Sequence, residues 1–159
     1  MQVFDASSMI HAWDNSPLAQ FPGLWIWLAQ QIDQGQLLMA QVAVDEVGHK
    51  LPECVAWLHE AGLHRLPTTE AILLEALRVK ALLGIEEARY GGGVDENDLL
   101  IIDTARVDGH TLVSNEALQL TPSKKMSHWK IPAVCATESL RTPCVDFVGY
   151  IRRTGVVFG

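Results

Sequence analysis

Cysteine is scarce in this sequence, and its scarcity excludes two kinds of stabilised fold. The 159 residues include three cysteines, Cys54, Cys135 and Cys144. An odd number at wide spacing argues against both a disulfide framework and a CxxC zinc site. Because reduced thiols are the rule in the cytoplasm, we expect a cytoplasmic protein.

Long apolar runs are scarce as well, and the first residues do not resemble a leader. The start, Met1–Asp5, has no basic residue and no extended apolar stretch, so no secretory signal is expected. The longest apolar run, residues 24–29, ends at Gln30, well short of the roughly 20 residues that a membrane span needs. We therefore expect no membrane partner. We also expect one domain over residues 1–159, because a chain of this length can bury a hydrophobic core of its own.

Positive charge is low overall but concentrated in one part of the chain. The net charge of −7 argues against an indiscriminate nucleic-acid binder. Residues 1–123 carry −11, whereas residues 124–159 carry +4. The basic loop with Lys124, Lys125 and Lys130 is therefore a candidate RNA-binding segment that would guide a phosphate backbone. The alternative is that these lysines are ordinary solvated charges.

Short apolar runs alternate with amphipathic segments along the chain. Strands are predicted at 2–4, 37–40, 63–67 and 111–113, and helices at 9–13, 24–32, 42–47, 53–62, 70–83, 95–106, 131–136 and 144–153. Ser7 or Ser8 is expected to cap the first helix, and Thr68 or Thr69 the helix at 70–83. Alternation of strands and helices predicts an α/β protein, a three-layer α/β/α sandwich with a central parallel sheet of four or five strands.

A glycine-rich break, Gly91–Gly93, precedes an acidic cluster and an apolar helix. Asp95 stands at the expected N-cap, and Asp98 three residues later would complete a capping box. Capping is one interpretation of these carboxylates, since the helix dipole favours negative charge there. The other interpretation is a metal site, which depends on further carboxylates elsewhere in the chain.

Such carboxylates follow two of the predicted strands. Asp5 comes directly after strand 2–4, and Glu116 follows strand 111–113. Hydroxyl side chains, Ser7 and Ser114, accompany them. Parallel strands bring their carboxyl ends to one edge of a sheet, where α/β proteins bind ligands. We therefore expect strands 2–4 and 111–113 to be neighbours near the sheet centre.

Glu46 supplies a further carboxylate on the apolar side of helix 42–47, where a carboxylate is costly unless it is paired or metal-bound. With Asp5, Asp98 and Glu116 it would form a four-carboxylate group that needs cations to stay ionised. Hard oxygen ligands suit Mg²⁺ or Mn²⁺, and phosphodiester hydrolysis is the natural reaction at such a site. His49, one turn after Glu46, is a weaker supporting candidate, and the six histidines show no HxxxH or HExxH spacing.

Four segments in this order resemble the PIN-domain ribonuclease family over nearly the whole chain. They are Asp5-Ala6-Ser7, Val44-Asp45-Glu46-Val47, Asn97-Asp98-Leu99-Leu100-Ile101-Ile102-Asp103-Thr104-Ala105 and Leu112-Val113-Ser114-Asn115-Glu116. The segment from Lys130 to Cys135 also resembles the Ile-Pro-x-x-Cys signature of a poorly characterised bacterial PIN-like subfamily. One departure is Glu116, where the family commonly has Asp.

The resemblance implies a Mg²⁺- or Mn²⁺-dependent ribonuclease that cleaves RNA with Asp5, Glu46, Asp98 and Glu116. It further implies a toxin silenced by a protein antitoxin, and it is compatible with a homodimer. Asp95 and Asp103 are auxiliary metal candidates. Asp103 is the weaker of the two, because five residues place it about 140° around the helix from Asp98.

Two other functions stay open. A catalytically silent PIN-like interaction module would need no clustered carboxylates, so metal binding separates it from an enzyme. A dehalogenase-type phosphohydrolase using Asp5 as nucleophile is less favoured, since that class needs an Asp where this chain has Ser7. A response-regulator receiver is weaker still, for want of a paired Asp near the N-terminus.

Overall fold

The computed structural model describes residues 1–159 and contains one sheet of five parallel strands. The strands are β1 (Gln2–Phe4), β2 (Leu37–Ala40), β3 (Arg65–Leu66), β4 (Thr111–Val113) and β5 (Cys144–Val145). Their order across the sheet is β3-β2-β1-β4-β5. β1 lies at the centre and pairs in parallel with β4, with Phe4 opposite Val113. The predicted α/β/α sandwich and the predicted neighbourhood of these two strands are confirmed.

Eight α-helices connect and cover the strands. They are α1 (Ala6–Asn15), α2 (Pro22–Asp33), α3 (Gln41–Lys50), α4 (Pro52–Glu60), α5 (Glu70–Leu82), α6 (Glu96–Val107), α7 (Ile131–Cys135) and α8 (Phe147–Thr154), with a 3₁₀ turn at Met126–His128. None of them has the length and apolar character needed to cross a membrane. The Thr69 hydroxyl accepts a hydrogen bond from Ile72 N at 3.2 Å, so the predicted cap of α5 is confirmed.

The core lies between the sheet and its helices, and α6 is buried almost all round. Leu99, Ile101, Ile102 and Ala105 on this helix are each at most 2% exposed. A helix that is apolar on most sides has to be covered by protein on most sides. Helix α6 accordingly packs against β1, β2 and β4 of the sheet and against α5.

Two predictions near the C-terminal end of the chain are wrong. Residues 144–153 do not form one helix, because Cys144 and Val145 pair with β4 as an edge strand before Asp146 caps α8. The periodicity predicts that Val148 faces inward, yet it is 45% exposed, while Phe147 and Tyr150 are buried. The Tyr150 ring packs edge-on against Phe4 at 5.0 Å, so the aromatic side chains determine which face of α8 packs inward.

The first helix also begins differently from the prediction. Asp5, rather than Ser7 or Ser8, occupies the N-cap position, and α1 starts at Ala6. The Ser8 hydroxyl donates to the carbonyl oxygens of Asp5, at 2.7 Å, and Val113, at 2.9 Å. Ser8 therefore joins β1 to β4 instead of capping the helix.

The outer face of α5 is more exposed than its periodicity predicts. That pattern places Leu73 and Leu77 inward, but they are 46% and 54% exposed. Ile72, Ala76 and Val79 make the buried stripe instead. Leucine is frequent on both faces of this helix, so hydropathy alone does not identify the buried one.

Candidate functional site

Asp5 is held at the junction of the two central strands by hydroxyl groups. Its backbone N–H donates to Val113 O at 2.8 Å, which continues the β1–β4 pairing. Its carboxylate Oδ2 accepts hydrogen bonds from Ser7 Oγ at 2.5 Å and Ser114 Oγ at 3.0 Å. The Asn115 N–H donates to Ser7 Oγ at 2.9 Å and fixes that hydroxyl in turn. Ser7 and Ser114 thus lie next to Asp5, as expected from their positions in the sequence.

Glu116 lies beyond the end of β4 on the same side of the sheet. Its N–H donates to Ser114 Oγ at 3.2 Å, which links it to the hydroxyls around Asp5. Its side chain is half-buried, and Oε2 lies 3.9 Å from Lys130 Nζ. This is a loose ion pair, so the glutamate keeps freedom to bind another cation.

The N-terminus of α6 carries the predicted capping box. The Asp98 N–H donates to Asp95 Oδ1 at 2.8 Å, and the Asp95 N–H donates to Asp98 Oδ2 at 2.9 Å. Asp98 is only 8% exposed. The capping interpretation is therefore correct. It is compatible with the metal-site interpretation, because both carboxylates also line a cleft at the edge of the sheet.

A polar cleft of about 370 Å³ opens at the carboxyl ends of β1 and β4. Its lining residues are Asp5, Ala6, Ser7, Ile10, Glu46, His49, Lys50, Gly93, Asp95, Asp98, Glu116 and Lys130. All four carboxylates singled out in the sequence line this cleft, and each comes from a different part of the fold. The structure thus brings together side chains that are up to 111 positions apart in the printed sequence.

Sequence reasoning missed Lys50 and Ile10 in the lining, and it gave His49 only a supporting place. Lys50 follows Glu46 by four residues, so both project from one face of α3. That spacing was the available signal for Lys50. Nothing in the sequence identifies Ile10, since an apolar residue on α1 is expected in the core.

Burial raises the pKa of every one of the four carboxyl groups. Burial, together with the neighbouring charges of Asp95 and Asp5, raises the pKa of Asp98 to about 8, although a hydrogen bond from the Asp95 backbone opposes the shift. For Asp5, burial outweighs the hydrogen bonds from Ser7 and Ser114, which lower the pKa. A cluster of four such carboxyl groups takes up protons unless a nearby positive charge stabilises the ionised form.

The same causes act on the two glutamates. Burial raises the pKa of Glu46, while the Asn97 side chain lowers it. Burial and the charge of Asp5 raise the pKa of Glu116, and Lys130 lowers it. Asn97 is therefore a further neighbour of the site, next in sequence to Asp98 on α6.

The donor chemistry of the cleft suits Mg²⁺ or Mn²⁺. Carboxylate and hydroxyl oxygens dominate the lining, and hard cations prefer oxygen ligands. No group of three or more His, Cys, Asp or Glu side chains is arranged so that it could hold an ion. Mg²⁺ usually keeps several waters and binds through one or two carboxylates, so the cleft residues fit an ion held in that way.

Asp103 lies outside this cleft. It is fully buried, and Oδ1 lies 3.6 Å from Arg106 Nη1, which also pairs with Glu75 on α5. Neither oxygen of Asp103 has a hydrogen-bond partner, and burial raises its pKa to about 6. The helical angle from Asp98 explains this position. Of the two auxiliary candidates, only Asp95 lines the cleft.

The basic loop is divided by the fold. Lys130 lines the cleft, whereas Lys124 and Lys125 are exposed outside it. The three lysines form one group in the sequence, but only Lys130 is close enough to pair with a cleft carboxylate.

A family model described as "Domain of unknown function (DUF4411)" matches residues 2–158. The chain belongs to the DUF4411 family. That description assigns no activity. The function of this DUF4411 protein is therefore inferred from the residues of its cleft. A search of curated proteins finds no significant match.

Two solved structures are similar to this chain at low sequence identity. The crystal structure of PAE2754 from Pyrobaculum aerophilum is 14% identical, with a TM-score of 0.54 over 97% of this chain and 88% of that one. VapBC2 from Rickettsia felis, crystallised with a DNA fragment from its promoter, is 16% identical, with a TM-score of 0.49 over 72% and 86%. The first likeness establishes a shared fold, and the second is too low to support an inference. The Ile-Pro-x-x-Cys subfamily assignment stays a prediction.

Proposed function

We propose that this DUF4411 protein is a metal-dependent endoribonuclease, a hydrolase that cleaves RNA phosphodiester bonds. One observation carries the proposal. Asp5, Glu46, Asp98 and Glu116 come from four separate segments of the chain, and they line one polar cleft at the carboxyl ends of the central strands. A structural role does not explain four carboxyl groups with raised pKa values at one edge of a sheet, whereas a cation site uses such oxygen ligands.

The cleft residues would hold Mg²⁺ or Mn²⁺. A bound ion would lower the pKa of a water molecule and stabilise charge on the phosphoryl group. Ser7 and Ser114 hold Asp5 Oδ2, so they orient its carboxylate. The capping box holds Asp98 by its Oδ2 atom, and Asp95 is the auxiliary carboxylate beside it. Rigid placement of this kind is what metal ligands need from their neighbours.

Lys124, Lys125 and Lys130 would bind the RNA backbone. Phosphate contacts give a protein its position on the nucleic acid without reading the bases. The acidic cleft repels RNA, so basic side chains beside it provide the approach. We therefore extend the proposal to single-stranded or looped RNA, bound mainly through its phosphates.

We further propose that the protein is a cytoplasmic toxin kept silent by a protein antitoxin, with a homodimer as a compatible assembly. The support for this part is the resemblance of the four motifs to PIN-domain ribonucleases. Expression of the chain alone in bacteria, beside an Asp5→Asn version, tests it. Growth arrest by the parent only would support a toxin, and equal growth at equal protein levels would contradict it.

Purified protein tests the nuclease itself. A labelled single-stranded RNA should be cut in Mn²⁺ and left intact in EDTA. The Asp5→Asn protein should leave it intact in both conditions, because Asn removes the negative charge at the centre of the cleft. Equal cleavage by parent and variant would assign the activity to a contaminant or to another site.

The second candidate is a catalytically silent interaction module. The finding that favours it is that no three possible ligand side chains are arranged to hold an ion. Mn²⁺ or Mg²⁺ that binds the folded state raises the melting temperature. A melting temperature that does not change with either ion would favour the module over the enzyme.

A further inference from the structure

Lys130 is a cation built into an acidic cleft. Its Nζ lies 3.9 Å from Glu116 Oε2, and its side chain is 36% exposed. Lys124 and Lys125 belong to the same loop, yet they lie outside the cleft. The position of Lys130 therefore needs an explanation that general basicity of the loop does not provide.

The glycine-rich segment supplies that explanation. The Gly93 N–H donates to Ser127 O at 3.2 Å, and the Val94 N–H donates to Trp129 O at 2.8 Å. A Cβ atom at Gly93 would lie 2.5 Å from His128 C and 2.6 Å from Trp129 N, so no other residue fits without moving the backbone. In the sequence, Gly91–Gly93 is a break before α6. The structure shows that this segment is also the surface on which the basic loop packs.

A second contact holds the loop from the other side. Gln119 Oε1 accepts a hydrogen bond from Lys130 N at 2.8 Å, and Gln119 Nε2 donates to His128 O at 3.3 Å. The Trp129 indole donates to Ser123 O at 2.6 Å. The backbone from His128 to Lys130 is thus tied to two segments, so the ammonium group reaches the cleft from a fixed base.

We propose that Lys130 is an exchangeable counter-ion, which neutralises Glu116 in the metal-free cleft and contacts an RNA phosphate oxygen when a divalent cation takes Glu116. This inference rests on the proposed function. It assigns Lys130 a role that differs from that of Lys124 and Lys125, which would contact RNA in the same way whether or not an ion is bound. Lysine suits exchange because its ammonium is a compact charge on a flexible stem.

Exchange has two measurable consequences. Lys130 competes with a divalent cation for Glu116, so removing its charge should tighten Mn²⁺ binding, on the order of fivefold for a unit charge several ångströms away in a partly solvated site. Its contact with RNA should depend on a bound cation. A lysine that only supports the fold would produce neither effect.

The first experiment is a calorimetric titration of Mn²⁺ alone into the parent, Lys130→Met and a Lys124→Met/Lys125→Met double variant. Lys130→Met keeps the apolar stem and should bind Mn²⁺ about fivefold more tightly. The double variant removes more charge from the same loop but outside the cleft, so its affinity should stay within about twofold of the parent. Lys130→Arg keeps the charge and should resemble the parent.

The second experiment measures binding of a fluorescein-labelled oligouridylate by anisotropy, in EDTA and in Ca²⁺, a hard cation that takes the same oxygen ligands. Lys130→Met should weaken RNA binding in Ca²⁺ by several-fold and leave it unchanged in EDTA. The double variant should weaken it in both. Circular dichroism and the melting temperature confirm that each variant is folded.

The outcomes separate the two proposals. Parental Mn²⁺ affinity in Lys130→Met would overturn the counter-ion role, while Mn²⁺ binding by the parent would still support the proposed function. An equal decrease of RNA affinity in EDTA and Ca²⁺ would overturn the exchange. A parent that binds no Mn²⁺ would overturn both the metal site and the inference that rests on it.

Discussion

Asp98 completes the capping box of α6 and lines the cleft with the same carboxylate. Its Oδ2 accepts the Asp95 N–H at 2.9 Å, and it is 8% exposed. An amide oxygen can accept the same hydrogen bond, so substitution by asparagine should preserve the cap while removing the charge. This makes Asp98 a position at which stability and chemistry can be separated.

Asp98→Asn should abolish Mn²⁺-dependent RNA cleavage, with a decrease greater than the roughly 10- to 100-fold typical of residues behind a metal ligand. Asp103→Asn is the matched control, because it makes the same change on the same helix outside the cleft. Initial cleavage rates of both purified variants give the comparison. An Asp98→Asn protein that cleaves at the parental rate would remove this residue from the centre.

The affinity for Mn²⁺ should rise with pH up to about 8. Burial raises the pKa of Asp98 to about 8, so below that pH the carboxyl group is mostly protonated and must lose its proton to bind an ion. Titrations at pH 6, 7 and 8 should show a dissociation constant that falls by up to about tenfold per unit. Asp98→Asn should flatten this dependence, and an equally steep one in the variant would assign the proton to another group.

At the scale of elements, the junction of α5 and α6 contains a carboxylate without hydrogen bonds. Burial raises the pKa of Asp103 above that of the unfolded chain, to about 6. The native state therefore binds this proton more tightly, and stability is lost as pH rises from the unfolded pKa through the folded one. The ion pair with Arg106 only partly offsets this cost.

Asp103→Asn should raise the free energy of unfolding at pH 7.5, by about 3 kcal/mol at most, since one pKa unit corresponds to about 1.4 kcal/mol. At pH 4 the two proteins should be nearly equal. Urea denaturation at both pH values checks this, with Asp108→Asn at the exposed end of the same helix as control. A variant that is less stable at pH 7.5 would show that the Arg106 pair outweighs the burial.

Gly93 offers a prediction about how two segments pack. Gly93→Ala should destabilise the protein by roughly 1–3 kcal/mol, because its Cβ would overlap the backbone of the loop at His128 and Trp129. Gly23→Ala in α2 meets no atom within 4 Å and should be neutral or stabilising by about 0.5–1 kcal/mol. Thermal unfolding of both variants tests the contrast, which equal melting temperatures would contradict.

At the scale of the whole molecule, the two parts of the chain carry net charges of opposite sign. Residues 1–123 carry −11, and residues 124–159 carry +4. Lys124→Ala/Lys125→Ala/Lys130→Ala should weaken RNA binding. It should also make the negative slope of log affinity against log salt shallower, by roughly 0.7 for each phosphate that the loop no longer binds. Anisotropy titrations at several salt concentrations measure the slope. An unchanged slope would exclude the basic loop from RNA binding.

Local patterns predicted most of the elements. Turn residues, caps and apolar periodicity act over a few neighbours, so α6 with its capping box and the strand ends at Asp5 and Glu116 follow from the amino-acid sequence alone. The family resemblance added the order in which the four carboxylates would meet. Edge strand β5 could not be predicted in this way, because two residues become a strand only through hydrogen bonds with β4.

The sequence by itself determined the Thr69 cap of α5, the capping box of α6 and the carboxylates that follow β1 and β4, because those positions follow from short-range chemistry. Only the tertiary structure decided that Lys130 lies beside Glu116, while Asp103 lies away from the cleft. Both outcomes depend on which backbone segments pack together, Gly93 against residues 127–129 and α6 against α5. Such contacts join residues far apart in the chain, and no local propensity specifies them.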